Sequence, residues 1–181
     1  MKRILLIFLC LTLTTIQART VDKDKSTFKW YGDKKIGSGH WGYVKLKSAQ
    51  VKMRGSKLKN AEFVIDMTTI TVEDIEGKYA KKFLTHVKTE DFFEVKKFAT
   101  ATLVLNKQVN KNTVSGTLTV KNKSNPVTVK YDRKGRTYSG TLVFDRTKYG
   151  IVYGSDSFFK RLTADRVIKN QVRVDFKVVL K

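Results

Sequence analysis

Near the C-terminus, Val172, Val174, Phe176, Val178 and Leu180 alternate with Arg173, Asp175 and Lys177. A side-chain period of two belongs to an extended strand with one face toward an apolar interior and the other toward water, and it cannot be laid on a helix. The same alternation sets Val114, Gly116, Leu118 and Val120 against Ser115, Thr117, Thr119 and Lys121. Further strand-like stretches run over 26–31, 42–53 (as one strand or two), 58–67, 99–109, 127–132 and 138–145. Turn chemistry separates them, as in Arg54-Gly55, Asn110-Lys111-Asn112 and Lys134-Gly135. Pro126, the only proline, is expected at the head of a strand, where a missing N–H costs least. About eight consecutive antiparallel strands can stack as two sheets or close as one. Closure removes the edges that template aggregation and leaves an interior about wide enough for one elongated ligand. The chain is therefore expected to be all-β, an eight-stranded antiparallel barrel, with a sandwich as the alternative.

One stretch departs from this period. Val72, Ile75, Tyr79, Phe83 and Val87 recur at helical spacing, which predicts a helix over about 72–86. Thr71 followed by Asp74 resembles a capping box, although Gly77 inside the pattern costs about 1 kcal/mol of helix propensity. A second, short C-terminal helical segment is expected over 155–162.

At the other end, Lys2 and Arg3 precede an uncharged run from Ile4 to Ile16, and Ala18 offers a small residue for cleavage. Residues 1–18 are read as a secretory signal peptide, too short to span a membrane, and 19–181 as one domain in a periplasmic or secreted setting. Cys10, the only cysteine, falls inside the apolar run, so the domain would be held by packing and hydrogen bonds without disulfides.

The residues give little support for catalysis or metal binding. His40 and His86 are the only histidines, and with no mature cysteine they do not complete a zinc set. Glu90, Asp91 and Glu94 are close together, but among Lys88, Lys96 and Lys97 they are expected to form surface ion pairs, not a facing acid pair. Gly37-Ser38-Gly39 lacks the spacing and lysine of a phosphate loop.

Two surpluses remain. The net charge is +21, and the stretch KLKSAQVKMRGSKLK (45–59) holds six cations and no acid. On alternate strand positions these form a basic face, which suits solvation, an anionic membrane surface or, least favoured, nucleic acid. Aromatic residues are also abundant and partly adjacent, so some must leave the core or fold over a barrel mouth. Large apolar side chains around a cavity suit an alkyl or isoprenoid tail, whose burial is worth about 0.8 kcal/mol per methylene.

Four ordered stretches then resemble the YceI-like family of lipocalin-like, polyisoprenoid- and lipid-binding proteins. They are WYGDKKIGSGHWGYVKLKSAQV with Gly37, Ser38, His40 and Gly42; AEFVIDMTTITVEDIEGKYAKKFLTHVKTEDFFEVKKFATATLVL with Asp91-Phe92-Phe93; VSGTLTVKNKSNPVTV; and FDRTKYGIVYGSDSFF. Phe98-Ala99 stands where relatives often read Tyr-Pro, and Leu162-Thr163-Ala164-Asp165 where they often read Leu-Gly-Asp; both departures fall in turns or loops. The resemblance implies a barrel around an apolar tunnel for a lipid tail. It further implies that Asp145 and Arg146 neutralise each other, that Gly150 and Gly154 permit tight bends, and that Ile151 with Phe158 or Phe159 closes apolar space.

The expected function is sequestration or transport of an isoprenoid, quinone-like or fatty-acyl lipid, with no cofactor beyond that ligand. The expected lining or mouth residues are His40, Trp41, Phe83, Phe92, Tyr149, Ile151, Tyr153 and Phe158. The alternative is a polyanion- or nucleic-acid-binding barrel using the basic face. A homodimer is a further possible assembly.

Overall fold

The computed structural model describes residues 15–55 and 57–181. Most of the signal-like segment therefore lies outside the described residues. The described residues form nine strands: β1 (Ile16–Arg19), β2 (Val21–Lys34), β3 (His40–Arg54), β4 (Lys57–Asp66), β5 (Thr100–Asn110), β6 (Thr113–Val120), β7 (Lys123–Lys134), β8 (Thr137–Asp145) and β9 (Ile168–Leu180). One α-helix, α1 (Gly77–Val87), lies between β4 and β5.

Strands β2 to β9 pair antiparallel, each with its neighbour in the chain, and β9 pairs back onto β2, so the sheet closes into an eight-stranded barrel. The alternation is why it closes: Phe28, Phe63, Ala101, Leu105, Leu118, Val129, Leu142 and Val178 all face one packed interior. The ninth strand was not anticipated. Near its start β2 pairs with β9 alone, at Val21 and Asp22, and β1 takes the vacated place on β3 opposite Val51 to Arg54. All four β1 residues are exposed.

The ambiguous 42–53 stretch is one strand with a bulge. Between Leu46 and Ser48 the pairing with β4 slips by one residue. Val44 and Leu46 therefore face inward before it, and Val51 and Met53 after it, a change of phase that the sequence pattern shows as a break. Pro126 is not at the head of its strand but inside β7, opposite Thr117 of β6, in a stretch that precedes the pairing of β7 with β8 at Lys130. A missing donor is tolerated there because only one neighbour is in register.

The helix starts later than 72. Thr71 and Asp74 do not cap it; Thr71 Oγ1 accepts from the Tyr43 amide at 3.0 Å and Asp74 Oδ1 from the Trp41 amide at 2.9 Å, so both tie the 67–76 segment to β3. Gly77 takes a positive φ of 58° at the first helical position, and Glu76, the residue before it, makes no side-chain cap. Phe83 and Val87 turn inward, whereas Tyr79 is exposed. The approach of this segment requires Gly42: a Cβ there would collide with the Thr71 carbonyl. The expected 155–162 helix is absent from the described residues. That segment makes isolated turns, with Phe158 and Phe159 amides donating to the Ser155 carbonyl, and the nearby helical turn is a 3-10 turn at Arg146–Tyr149.

Candidate ligand cavity

The inward side chains leave an interior cavity of about 270 Å³. Its walls are almost wholly apolar and come from all eight barrel strands and α1. Near α1 it is bounded by Trp30, His40, Phe83, Val87, Phe92 and Ile151, and at the opposite end by Met53, Leu58, Tyr131, Tyr138 and Leu180. No directional polar pair faces its middle, so what it offers a guest is burial of hydrocarbon.

The α1 end is held by aromatic stacking anchored to polar contacts. Trp30 stacks on Phe83 at 6.1 Å while its indole N–H donates to the Thr71 carbonyl at 3.1 Å. His40 lies 4.6 Å from Phe83, and its Nδ1 is 2.8 Å from Asp74 Oδ2. Burial alone would raise the Asp74 pKa, but the Trp41 N–H and the His40 ring outweigh it and hold the carboxyl below its ordinary value. Beside this group, His86 meets Phe92 at 5.1 Å and Tyr153 at 4.7 Å, and its Nε2 is 3.0 Å from Asp91 Oδ2.

Among the described residues, Arg146 is the one charged residue that is deeply buried in the cavity wall. It is 3% exposed, and its guanidinium donates to three backbone carbonyls: Ile151 at 2.7 Å, Ile168 at 2.9 Å and Lys169 at 3.1 Å. Burial pulls its pKa down and the charge of Asp145 opposes that shift. Asp145 does not form an ion pair with it, contrary to the mutual neutralisation implied by the family motif. Its Oδ1 instead accepts from the Thr147 amide at 2.9 Å and hydroxyl at 2.7 Å, capping the 3-10 turn. Gly150 and Gly154 do bend there, with φ of 78° and 65°. Arg146 thus fastens the 151–168 segment across the barrel end. Tyr149, packed against Phe144 at 5.5 Å, is buried within the same junction, and its hydroxyl pKa is pushed up to about 12 by burial and by Asp145.

Of the expected lining residues, His40, Phe83, Phe92 and Ile151 border the cavity. Trp41 does not: His40 beside it in β3 lines the cavity, and Gly42 on its other side pairs with the cavity-lining Trp30, so Trp41 lies on the outer face, where Lys29 Nζ stands 3.6 Å from its ring and Tyr43 packs at 6.1 Å. Tyr149 packs behind the wall, Tyr153 sits outside it against His86 and Phe92, and Phe158 is 56% exposed. Wall residues such as Phe28, Trp30, Phe63, Leu103, Tyr131, Phe144 and Phe176 were not picked out. The signal that finds them is strand parity counted from a residue already known to face inward, as β9 shows with every second residue from Val172 to Leu180.

The acidic cluster disperses. Glu94 pairs with Lys97 at 3.6 Å and Lys121 at 3.9 Å, and Asp91 with His86, in place of Lys88 and Lys96. No three His, Cys, Asp or Glu side chains come together among the described residues. The six cations of the 45–59 stretch are all exposed on the outer surface.

A closed barrel around an apolar, ligand-sized cavity defines a lipocalin-like binding fold. The YceI-like domain matches residues 20–180, and the chain belongs to that family. It is similar to BcnA of Burkholderia cenocepacia (25% identity, 89% of this chain and 99% of that one, TM-score 0.67). It also resembles in fold a polyisoprenoid binding domain from Saccharophagus degradans implicated in plant cell wall breakdown (15% identity, 92% and 99%, TM-score 0.59). A third structure of similar fold is the YCEI protein of Campylobacter jejuni (12% identity, 76% and 84%, TM-score 0.55). No curated protein matches the sequence.

Proposed function

We propose that the chain is a periplasmic or secreted carrier that holds the tail of an isoprenoid, quinone-like or fatty-acyl lipid inside the barrel and performs no chemistry on it. The observation that carries this reading is the apolar cavity running from Phe83 near α1 to Tyr138 at the opposite end. Family membership supports lipid binding, and the polyisoprenoid binding domain of similar fold supports an isoprenoid tail. The charged N-terminus followed by the uncharged run of residues 4–16 supports export. Near α1, Ile36, Tyr79, Phe158 and Phe159 are exposed beside Lys35, Lys78 and Lys160, an aromatic and basic mixture suited to an anionic membrane surface. The test is mass spectrometry of a chloroform extract of protein purified natively from its own compartment. A long-chain lipid at near one equivalent is expected. An extract without lipid, from protein that also fails to take up added prenols, quinones and fatty acids, would sink the proposal.

The exposed cations between Lys45 and Lys59 favour a second reading, a polyanion-binding outer face. It requires tight binding of heparin or nucleic acid that collapses from low to moderate salt.

A further inference from the structure

Nine large apolar side chains are exposed among the described residues, and their placement is uneven. Tyr43 and Val143 stand on the outer wall, and Ile16 and Val109 lie toward the end remote from α1. The other five, Ile36, Tyr79, Tyr153, Phe158 and Phe159, belong to the α1 end. They come from three separate pieces of chain: the loop from β2 to β3, the start of α1, and the 151–168 segment. Lys35 fastens the first piece to the third, with its Nζ 3.0 Å from Asp156 Oδ2 and its amide donating to the Val167 carbonyl at 2.9 Å. Tyr153 joins the third piece to α1 by its edge contact with His86 at 4.7 Å. The five thus form one rim around the cavity mouth, and apolar clustering of this kind marks a surface that another body covers.

The exposed apolar residues of this rim are interleaved with cations. Ile36 follows Lys34 and Lys35, Tyr79 lies within Lys78-Tyr79-Ala80-Lys81-Lys82, and Phe158 and Phe159 precede Lys160 and Arg161. These three short runs hold seven exposed cations and no acid. In the adjoining stretches Asp156 is taken by Lys35 and Asp74 by His40, which leaves Asp33, Glu73 and Glu76 to oppose the other six cations. A protein partner suits this pattern poorly, because lysine is depleted from the centre of protein interfaces and here it stands among the rings. An anionic bilayer suits it well. Aromatic and aliphatic side chains enter the interfacial layer while each lysine adds attraction to the head groups.

The same end is built to open. Phe83 enters between Trp30, at 6.1 Å, and His40, at 4.6 Å, and bounds the cavity, whereas Lys78, Tyr79, Lys81 and Lys82 of the same helix are exposed. Gly77 begins α1 at a φ of 58° with open space around it, and Glu76 supplies no side-chain cap, so the helix is anchored to the mouth only further along, by Phe83 and Val87. A hydrocarbon tail that left through water would lose its burial methylene by methylene, which favours a route straight into the bilayer.

We infer that the α1 rim docks on an anionic membrane surface and that the guest crosses there by direct contact, α1 moving aside to admit it, without release into water. The docking face stands on the rim alone, and the transfer step rests on the carrier reading.

The test uses protein purified natively from its own compartment and has two arms. In the first, the protein is floated with vesicles of phosphatidylcholine, alone or mixed with phosphatidylglycerol. Binding is expected with the mixed vesicles and should fall as salt is added. F158S/F159S and K78Q/K81Q should each weaken it at least about tenfold, whereas K45Q/K47Q, which removes the same charge from the outer wall, should stay within about twofold of the parent. None of these side chains lines the cavity. In the second arm the barrel is loaded with an anthroyloxy-labelled palmitate, and its passage to quencher-bearing mixed vesicles is timed. The rate should rise with vesicle concentration and fall at least about tenfold in F158S/F159S, with affinity for the probe unchanged. Equal binding to both vesicle types, binding that survives in F158S/F159S, or a loss in K45Q/K47Q matching that in K78Q/K81Q overturns the docking face. A rate indifferent to vesicle concentration overturns contact transfer and leaves the carrier reading standing. Refusal of the labelled palmitate and of added prenols and quinones ends the carrier reading, while flotation still decides the docking face.

Discussion

Replacing Arg146 with methionine measures what the guanidinium does for the barrel end. The substitution keeps an apolar stem of similar reach and removes every hydrogen bond to the Ile151, Ile168 and Lys169 carbonyls. An orphaned buried carbonyl costs about 1–3 kcal/mol. Because the bonds to Ile168 and Lys169 are only part-buried, about 4 kcal/mol in total is a reasonable sum. Methionine also removes a charge held out of water, which returns about 1 kcal/mol, so the net loss is about 3 kcal/mol. With a urea slope of about 2 kcal/mol per molar, the midpoint should fall by about 1.5 M with the slope unchanged. Amide exchange of 151–168 should accelerate more than that of the β5–β6 hairpin, because the variant releases that segment before the barrel opens. A midpoint shift below about 0.5 M, with exchange of 151–168 unaltered, would refute the argument that these three bonds fasten the segment.

Three further outcomes follow from the same contacts. G42A, which drives a methyl group into the Thr71 carbonyl, should cost about 1–3 kcal/mol in urea unfolding and detach the 67–76 segment first by amide exchange. A101W, which places an indole in the cavity wall, should lower co-purified lipid at least about tenfold, equivalent to about 1.4 kcal/mol, while far-UV circular dichroism remains that of the parent. Asp74, whose pKa lies below the ordinary 3.8 in the folded state, contributes stability that is complete above that value and lost as pH falls through the folded pKa. D74N should therefore be less stable than the parent at pH 6, and the gap should narrow as the pH is taken below about 4.

The barrel was legible because most of its eight strands carry a period of two strong enough to survive their turns, with β3 breaking phase at its bulge. What escaped was whatever depends on a partner far along the chain. Thr71 and Asp74 look like a helix cap locally, yet their acceptors are taken by the amides of Tyr43 and Trp41, and the helix begins at Gly77 instead. Trp41 and His40 are neighbours of equal plausibility as wall residues; only the register of β3 against β2 puts one inside and the other out. Arg146 beside Asp145 reads as an ion pair, but the guanidinium turns to carbonyls contributed by the segment that follows and by the start of β9. Strand β1 is the extreme case, since its place exists only because β2 leaves β3 early.

Closure itself has a consequence for synthesis. Every barrel pairing joins strands consecutive in the chain except β2 with β9, whose register puts Val21 opposite Leu180. As the chain emerges from its N-terminus, a growing meander can zip hairpin by hairpin, yet β2 keeps one naked flank until the last strand is made. The ring therefore closes only once β9 is available, and a chain truncated before residue 168 would display that flank to any extended peptide nearby.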